Sequence, residues 1–292
     1  MSVIVIGSNG QLGSSLKYIE SCIDLSFRIE YLSKKDLNIN EFNKVNKYIS
    51  LKKPSVIVNF SGFTDVDGAE TNRKSAQNLN HLAVENLAEI TKSIDATLIH
   101  ISTDYVFNGS NENPYLESDK TDPIGVYGKT KLYGEISVKK SNCKYILLRT
   151  SWVFSKYGKN FLLSVLKMIK NQSEISIVND QFGCPTYAND ISKVIISFTN
   201  QILNGKDYRE IFHYSGYEKT TWYDFANEIL RQKKYFNPNI DCEIKPIKSY
   251  EYITPAKRPF YSVLDCSKIK EIKEIKLSDW RNAVKEVVAD LS

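Results

Sequence analysis

The sequence predicts a doubly wound α/β fold: a parallel sheet with helices on both faces, and a smaller C-terminal region interleaved with it. Three observations carry this expectation. Up to Thr150, short runs rich in Val and Ile alternate with longer segments of helical period, the rhythm of a parallel sheet. The run Val56–Asn59 is almost wholly apolar, as in a strand covered on both faces. A glycine-punctuated turn, Gly7–Gly13, follows the first apolar run directly.

The elements follow in order. Val3–Ile6 is a strand and Gln11–Glu20 has helical spacing. Arg28–Leu32 is the second strand and Glu41–Lys52 the second helix. After the strand Val56–Asn59 comes a long helical segment, Ser75–Lys92. The strand Thr97–Ser102, the helix Val126–Lys140 and the strand Tyr145–Thr150 complete the repeat. Beyond Thr150 the rhythm changes, to helical Asn160–Lys170, strand-like Ile175–Val178 and helical Asn189–Asn200. A run Ile211–Ser215 is able to return to the sheet, and Trp222–Gln232 has the pattern of an amphipathic helix. Tyr250–Asp265, with Pro255 and Pro259, reads as a loop before a last helix at Ser278–Leu291. No Gly/Ser-rich linker or repeat divides the chain. The expected division is therefore 1–154 for the sheet, with return segments near 175–216, and 155–292 for a smaller interleaved region.

Composition bounds the class. An apolar fraction of 42% with 25% charged residues suits a chain that buries a core and argues against disorder. Lys and Arg number 39 against 34 Asp and Glu, a net charge of +5. That is too dilute for a nucleic-acid stripe, though it suits a phosphate-bearing ligand. The opening apolar run falls short of the roughly 7–15 residues of a secretory core. No stretch reaches the ~18 apolar residues of a membrane helix. Five dispersed cysteines without a C-x-x-C pair suit neither a disulfide framework nor structural zinc. A cytoplasmic protein without nucleic-acid or membrane partners is expected.

Gly7-Ser8-Asn9-Gly10-Gln11-Leu12-Gly13 opens a helix directly after a strand. Glycines there allow a tight turn and a close approach of the backbone to a pyrophosphate seated on the helix N-terminus. The spacing is G-x-x-G-x-x-G rather than G-x-G-x-x-G, and a ligand-free turn is the plain alternative. Its position at the first junction of an alternating chain favours a dinucleotide. An acid about 20 residues beyond the glycines would bind a ribose 2′-hydroxyl. Here the second strand ends in Leu32-Ser33-Lys34-Lys35, with Asp36 next. Two ammonium groups suit a 2′-phosphate, which puts NADPH ahead of NADH. Otherwise Lys34 and Lys35 are a solvated pair, and Asp36 serves the adenine side.

Tyr127 and Lys131 stand at i and i+4 of a predicted helix and share a face. A lysine cation beside a phenol favours the phenolate, so the pKa of Tyr127 is expected to fall from about 10. That makes it a usable proton donor or acceptor. The pattern alone is weak. With 18 tyrosines, roughly two Y-x-x-x-K matches are expected by chance, and three occur: Tyr31/Lys35, Tyr48/Lys52 and Tyr127/Lys131. Only the third opens a helix after a strand ending Ser102-Thr103-Asp104, on the ligand side of a parallel sheet. Thr103 can offer a hydroxyl to the same substrate oxygen as Tyr127.

Gly7–Gly13, Ser102–Phe107 and Tyr127–Lys131 together resemble the extended short-chain dehydrogenase/reductases. Val126–Lys131, Arg149–Phe154, Asn179–Thr186, Thr220–Trp222 and Arg258–Asp265 narrow the resemblance to the dTDP-4-dehydrorhamnose reductase family, over essentially the whole chain. The resemblance implies a Rossmann-type sheet and reduction of dTDP-4-dehydro-β-L-rhamnose, a dTDP-linked 4-keto-6-deoxy sugar, to dTDP-β-L-rhamnose. NADPH is the implied hydride donor, with NADH as the alternative. By residue, it implies Tyr127 as proton donor, Lys131 as the group orienting Tyr127 and the nicotinamide ribose, and Thr103 bonded to the reacting oxygen. Gly7, Gly10, Gln11 and Leu12 would hold the pyrophosphate. Asp36, Leu37, Ser61 and Gly62 would line the adenine and ribose side, while Asp104 and Trp152 approach the sugar nucleotide. Hydride addition with proton delivery by Tyr127 requires no metal. A reductase of another nucleotide-linked 4-keto-6-deoxy sugar is one alternative. A non-catalytic NADP-binding regulatory subunit, as for methionine adenosyltransferase, is another, against which Thr103, Tyr127 and Lys131 argue.

Some positions depart from the family pattern. Phe60 and Phe63 stand where small residues are usual, and Cys184, also at a small-residue position, is expected to be a buried inert thiol. Ser15 replaces a glutamate that some members use in a metal-bridged dimer, so neither that metal nor that dimer is expected; a homodimer stays open. His100 and His213 read as packed core histidines, Trp222 as core, and Trp152 as a wall of the substrate site. Lys268–Lys276 reads as a solvated face backed by Ile269, Ile272 and Ile275.

Overall fold

In chain order, β1 (Ser2–Ile6), α1 (Gln11–Ser21), β2 (Arg28–Leu32), α2 (Phe42–Lys52) and β3 (Val56–Asn59) alternate as expected. The computed structural model describes residues 2–272 and 274–292. The helix expected over Ser75–Lys92 is interrupted: α3 (Val66–Thr71) and α4 (Arg73–Gln77) lead into a π-helical turn (Asn78–Leu82), and α5 (Ala83–Ser93) follows. The turn sets the buried Asn80 carboxamide against the loop after β3, where Oδ1 accepts from Phe63 N–H (2.8 Å). Its Nδ2 donates to the Phe63 carbonyl (3.1 Å) and to the Thr130 hydroxyl (3.2 Å). These tertiary bonds outweigh the continuous α-helical ladder that the sequence period favours.

Next come β4 (Thr97–Thr103), α6 (Val126–Ser141) and β5 (Lys144–Thr150), then β6 (Val153–Phe154), α7 (Phe161–Asn171), β7 (Glu174–Val178), β8 (Phe182–Gly183) and β9 (Thr186–Tyr187). The chain continues through α8 (Ala188–Leu203), β10 (Arg209–His213), β11 (Thr220–Thr221), α9 (Trp222–Phe236) and β12 (Glu243–Ile247). It closes with α10 (Ser267–Lys270) and α11 (Trp280–Asp290). Of the run 268–276, Ile269 and Ile275 are buried and Ile272 is partly so, while Lys273 lies outside the described residues.

Six strands make one parallel sheet in the order β2-β1-β3-β4-β5-β10. The chain reverses its winding between β1 and β3, the switch point where ligands meet the carboxyl ends of strands. Period-two alternation splits the sheet's side chains between two cores. Val3, Val5, Val56, Val58 and Ile99 face α1 and α8, whereas Ile4, Ile6, Ile57 and Leu98 face α2 and α5. Of the segments expected to return to the sheet, α8 and β10 do so. β7 instead pairs with β12 in a separate two-stranded sheet, because its apolar side chains Ile175 and Ile177 complete a third core. That core, with Phe154, Phe225 and Trp280, belongs to the second region.

One ion pair locks α6 to the sheet. Glu135 and Arg149 are both buried, and the guanidinium is bidentate: Nε donates to Oε1 (2.9 Å) and Nη2 to Oε2 (2.7 Å). The Ser102 hydroxyl on β4 also donates to Glu135, and Arg149 Nη1 meets His213 Nε2 on β10 at 3.3 Å. Removing one member of such a pair strands a charge in low dielectric. Glu135→Ala should therefore cost about 3–5 kcal/mol in urea unfolding, and a loss below about 1 kcal/mol would show that the pair is not held as described.

Candidate active site

The loops after β1, β3, β4 and β5 surround a cleft of about 570 Å³, closed on the far side by Trp152, Gly158, Lys159 and Trp222. Gly7 has φ +85°, and a Cβ there would lie 2.8 Å from Ser61 N, so the first turn packs backbone to backbone on the loop after β3. Gly13 is as constrained, its Cβ position lying 2.5 Å from the Ser8 carbonyl oxygen. Gly10 differs: a Cβ there would meet only Gly7 O, at 3.4 Å, and the residue borders the cleft. It is the N-cap of α1, with no side-chain cap and no acid in the first turn. The first intrahelical bond runs from Ser14 N–H to Gly10 O, so the amides of Gln11 and Leu12 precede the ladder and face an anion-favouring helix end.

Thr103, Tyr127 and Lys131 line the same cleft. Thr103 ends β4; its hydroxyl donates to Asp104 Oδ1 (3.0 Å) and accepts from Tyr105 N–H (3.2 Å). Tyr127 lies in the first turn of α6, whose Val126 N–H is capped by Glu70 Oε1 at 2.8 Å. The phenol is half-buried, and the Tyr105 ring meets it edge-on at 5.8 Å. Burial pushes the phenol up to about 12, the Thr103 hydroxyl pulling it down and the Asp104 charge adding to the rise. This corrects the expected lowering by Lys131. The lysine is buried, and its Nζ donates to the Ile101 carbonyl at 2.6 Å and lies 3.3 Å from His100 Nε2, turned into the sheet. Burial pulls Lys131 down to about 8, with Glu135 opposing. The other Y-x-x-x-K pairs lie elsewhere: the Tyr31 hydroxyl donates to Glu20 at 2.7 Å, and that of Tyr48 to Glu30.

Gln11, Leu12, Ser61, Gly62, Asp104 and Trp152 also line the cleft; Gly7, Asp36 and Leu37 do not. The Asp36 carboxylate is held in its own turn, accepting from Ser33 N–H (2.8 Å) and Ser33 Oγ (2.6 Å), and those bonds hold its pKa below the ordinary range. The Leu37 side chain is buried in the core beneath β1 and β2. Phe60 borders the cleft, while Phe63 is held through its backbone by Asn80. Cys184 is a buried thiol that burial pushes up to about 12.

Trp222 packs against the core of the second region as expected, its ring 4.5 Å from that of Phe161, but it also borders the cleft. It is half-buried and stacks on Trp152 with ring centroids 3.5 Å apart and planes 8° from parallel. Trp152 itself has φ +47°, a left-handed conformation that costs a bulky residue about 1–3 kcal/mol. The stacked pair and the close approach of Gly183 to the indole hold it there.

A doubly wound parallel sheet, a glycine turn at its switch point and a Thr–Tyr–Lys set on the facing wall define the class: an extended short-chain dehydrogenase/reductase fold. The chain matches the RmlD substrate binding domain family over residues 1–292. A dTDP-4-dehydrorhamnose reductase of Aggregatibacter actinomycetemcomitans is 37% identical over 293 residues, with 98% of each chain covered. The crystal structure of a dTDP-4-dehydrorhamnose reductase from Clostridium acetobutylicum has a TM-score of 0.91 at 34% identity, covering 100% of this chain and 99% of that one. Another, from Bacillus anthracis in complex with NADP, has a TM-score of 0.88 at 31% identity and covers 99% of each chain. The chain belongs to the dTDP-4-dehydrorhamnose reductase family. Among the described residues, no helix is long and apolar enough to cross a membrane.

Asp104 leaves one oxygen, Oδ2, buried without a partner. Burial raises its carboxyl to about 7, with Ser262 and Thr103 opposing. A raised acid stabilises the fold below its unfolded pKa and loses that contribution as pH rises through the folded value. Relative to Asp104→Asn, the ligand-free wild type should therefore lose roughly 2–4 kcal/mol between about pH 4 and pH 7. Parallel pH–stability curves for the two proteins would contradict the assignment.

Proposed function

We propose that this protein reduces the C4 carbonyl of dTDP-4-dehydro-β-L-rhamnose to give dTDP-β-L-rhamnose, with NADPH as the reductant. The observation that carries the reading is the gathering of Thr103, Tyr127 and Lys131 on the wall facing the Gly10–Leu12 turn. Membership of a family whose relatives bear that activity in their names supports the substrate. The open space at Gly10 and the uncapped amides of Gln11 and Leu12 fit a pyrophosphate, and Ser61 and Gly62 border the same space. NADPH, when bound, supplies the hydride. A phenol with a pKa near 12 is fully protonated at neutral pH, the form a reductase needs. Tyr127 gives its proton to the carbonyl oxygen as that oxygen becomes an alkoxide, and the Thr103 hydroxyl turns from Asp104 to bond the same atom. The Trp152–Trp222 stack walls the sugar nucleotide. Five free thiols, four of them buried, support a reducing compartment, the cytoplasm.

With enzymatically prepared dTDP-4-dehydro-β-L-rhamnose, the protein should oxidise NADPH and release a product that NMR identifies as the rhamnose configuration at C4. No oxidation, or the C4 epimer, would overturn the reading. Tyr127→Phe should bind NADPH as the wild type does while kcat falls about 10²–10⁴-fold. Near-normal turnover would remove Tyr127 as proton donor.

A further inference from the structure

The loop between β6 and α7 is seated on the start of α1. Gly158 takes a left-handed φ of +68°, and a Cβ there would lie 3.3 Å from Gln11 Cβ and 3.6 Å from Gln11 N and Cα. The loop backbone therefore packs on the first residue of the helix. Asn160 fixes the other side. Its Nδ2 donates to Gln11 Oε1 and to the Ser155 carbonyl, both at 2.8 Å, while its Oδ1 accepts from Leu163 N–H (3.1 Å) and caps α7. Lys159 stands between these two anchors and borders the cleft, so its neighbours set its place beside the N-terminus of α1.

Charge then singles this lysine out. Of the groups bordering the cleft, three can carry a unit charge near neutral pH: Asp104, Lys131 and Lys159. Asp104 and Lys131 belong to the Tyr127 end, where the lysine donates to the Ile101 carbonyl of β4. Lys156, in the same loop as Lys159, is paired with Asp290 at 2.7 Å and lies over the Tyr18 ring. Lys159 is exposed and has neither an acid nor an aromatic partner among the described residues. The end of α1 supplies only about half an elementary charge, whereas the pyrophosphate of a dinucleotide carries two. An ammonium on a flexible stem meets a phosphate as a point charge and completes the balance.

We propose that Lys159 is a cofactor-binding residue whose ammonium closes over the pyrophosphate of the nicotinamide dinucleotide, from the side opposite the Gln11 and Leu12 amides. The inference rests on the dinucleotide seat at Gly10–Leu12 described above and adds a contact to it. That contact comes from the second region, so both parts of the chain grip the cofactor.

Calorimetric titration of NADP+ and NAD+ into the wild type and Lys159→Gln tests this without turnover. The side chain is exposed, so the ligand-free variant should unfold as the wild type does. NADP+ should bind it about tenfold more weakly, the loss of one charge-assisted contact. NAD+ should lose the same factor, because the two dinucleotides share the pyrophosphate, and Lys159→Arg should recover part of the loss. dTDP, titrated into protein saturated with NADP+, should bind wild type and Lys159→Gln alike. An unchanged Kd for NADP+ in Lys159→Gln would overturn the proposal, as would an arginine that restores no affinity. So would a loss confined to NADP+, which marks the 2′-phosphate, or one at least as large for dTDP, which marks the diphosphate of the sugar nucleotide. A wild type that binds neither dinucleotide overturns the inference and the reductase reading together. A protein that binds both dinucleotides through Lys159 yet reduces no dTDP-4-keto sugar keeps the inference and loses the proposed activity.

Discussion

Glu135 on α6 and Arg149 on β5 meet in the interior, where neither charge could stand alone, so helix and strand hold one register. The rest of the site depends on that register. Lys131 lies one turn before Glu135 and reaches the Ile101 carbonyl; Tyr127 lies one turn earlier still, at the mouth of the cleft. Ser102 donates to the same glutamate, which brings the end of β4, and with it Thr103, to the helix that carries the phenol. The pair also reaches β10 through His213, whose Nδ1 meets the Tyr115 carbonyl at 2.9 Å and whose backbone N–H donates to Glu117 at 2.8 Å. A strand from late in the chain thus supports a helix from its middle.

The opposite wall is built by close packing rather than by charge. Gly7 and Gly13 are glycines because backbone occupies the space of a side chain, and Gly10 is one where the space is left open. Asn160 Nδ2 donates to Gln11 Oε1 at 2.8 Å, which ties the glycine turn to the start of α7 in the second region. The Arg258 guanidinium bonds Asp67 at 2.6 Å and fastens the long loop before α10 to α3. The two regions therefore share the cleft, and the strained Trp152 lies at their junction.

Much of this was legible in the sequence because period and punctuation are local. Strand–helix alternation, the glycine turn and the choice of Tyr127 over Tyr31 and Tyr48 all follow from spacing and from position relative to strand ends. What was not legible depends on distant partners. The π turn exists because Asn80 bonds Phe63 and Thr130, which no helical period encodes. Trp222 packs on the core as its helical pattern suggests, while its stack on Trp152, which no pattern encodes, also sets it at the cleft. Spacing places Lys131 on the same face as Tyr127 but does not encode that its ammonium turns to the Ile101 carbonyl, so burial rather than the lysine sets the direction of the Tyr127 shift. The Leu37 side chain enters the core and the Asp36 carboxylate closes its own turn on Ser33, contacts that position relative to a strand does not encode.

The central claim is that one substrate oxygen sits between the Tyr127 phenol and the Thr103 hydroxyl. A crystal structure of the protein with NADP and dTDP-β-L-rhamnose tests it most directly. The account predicts the sugar 4-hydroxyl within about 3.2 Å of both Tyr127 Oη and Thr103 Oγ1. A sugar bound with that hydroxyl bonded to neither group, or to Asp104 in place of Thr103, would contradict it.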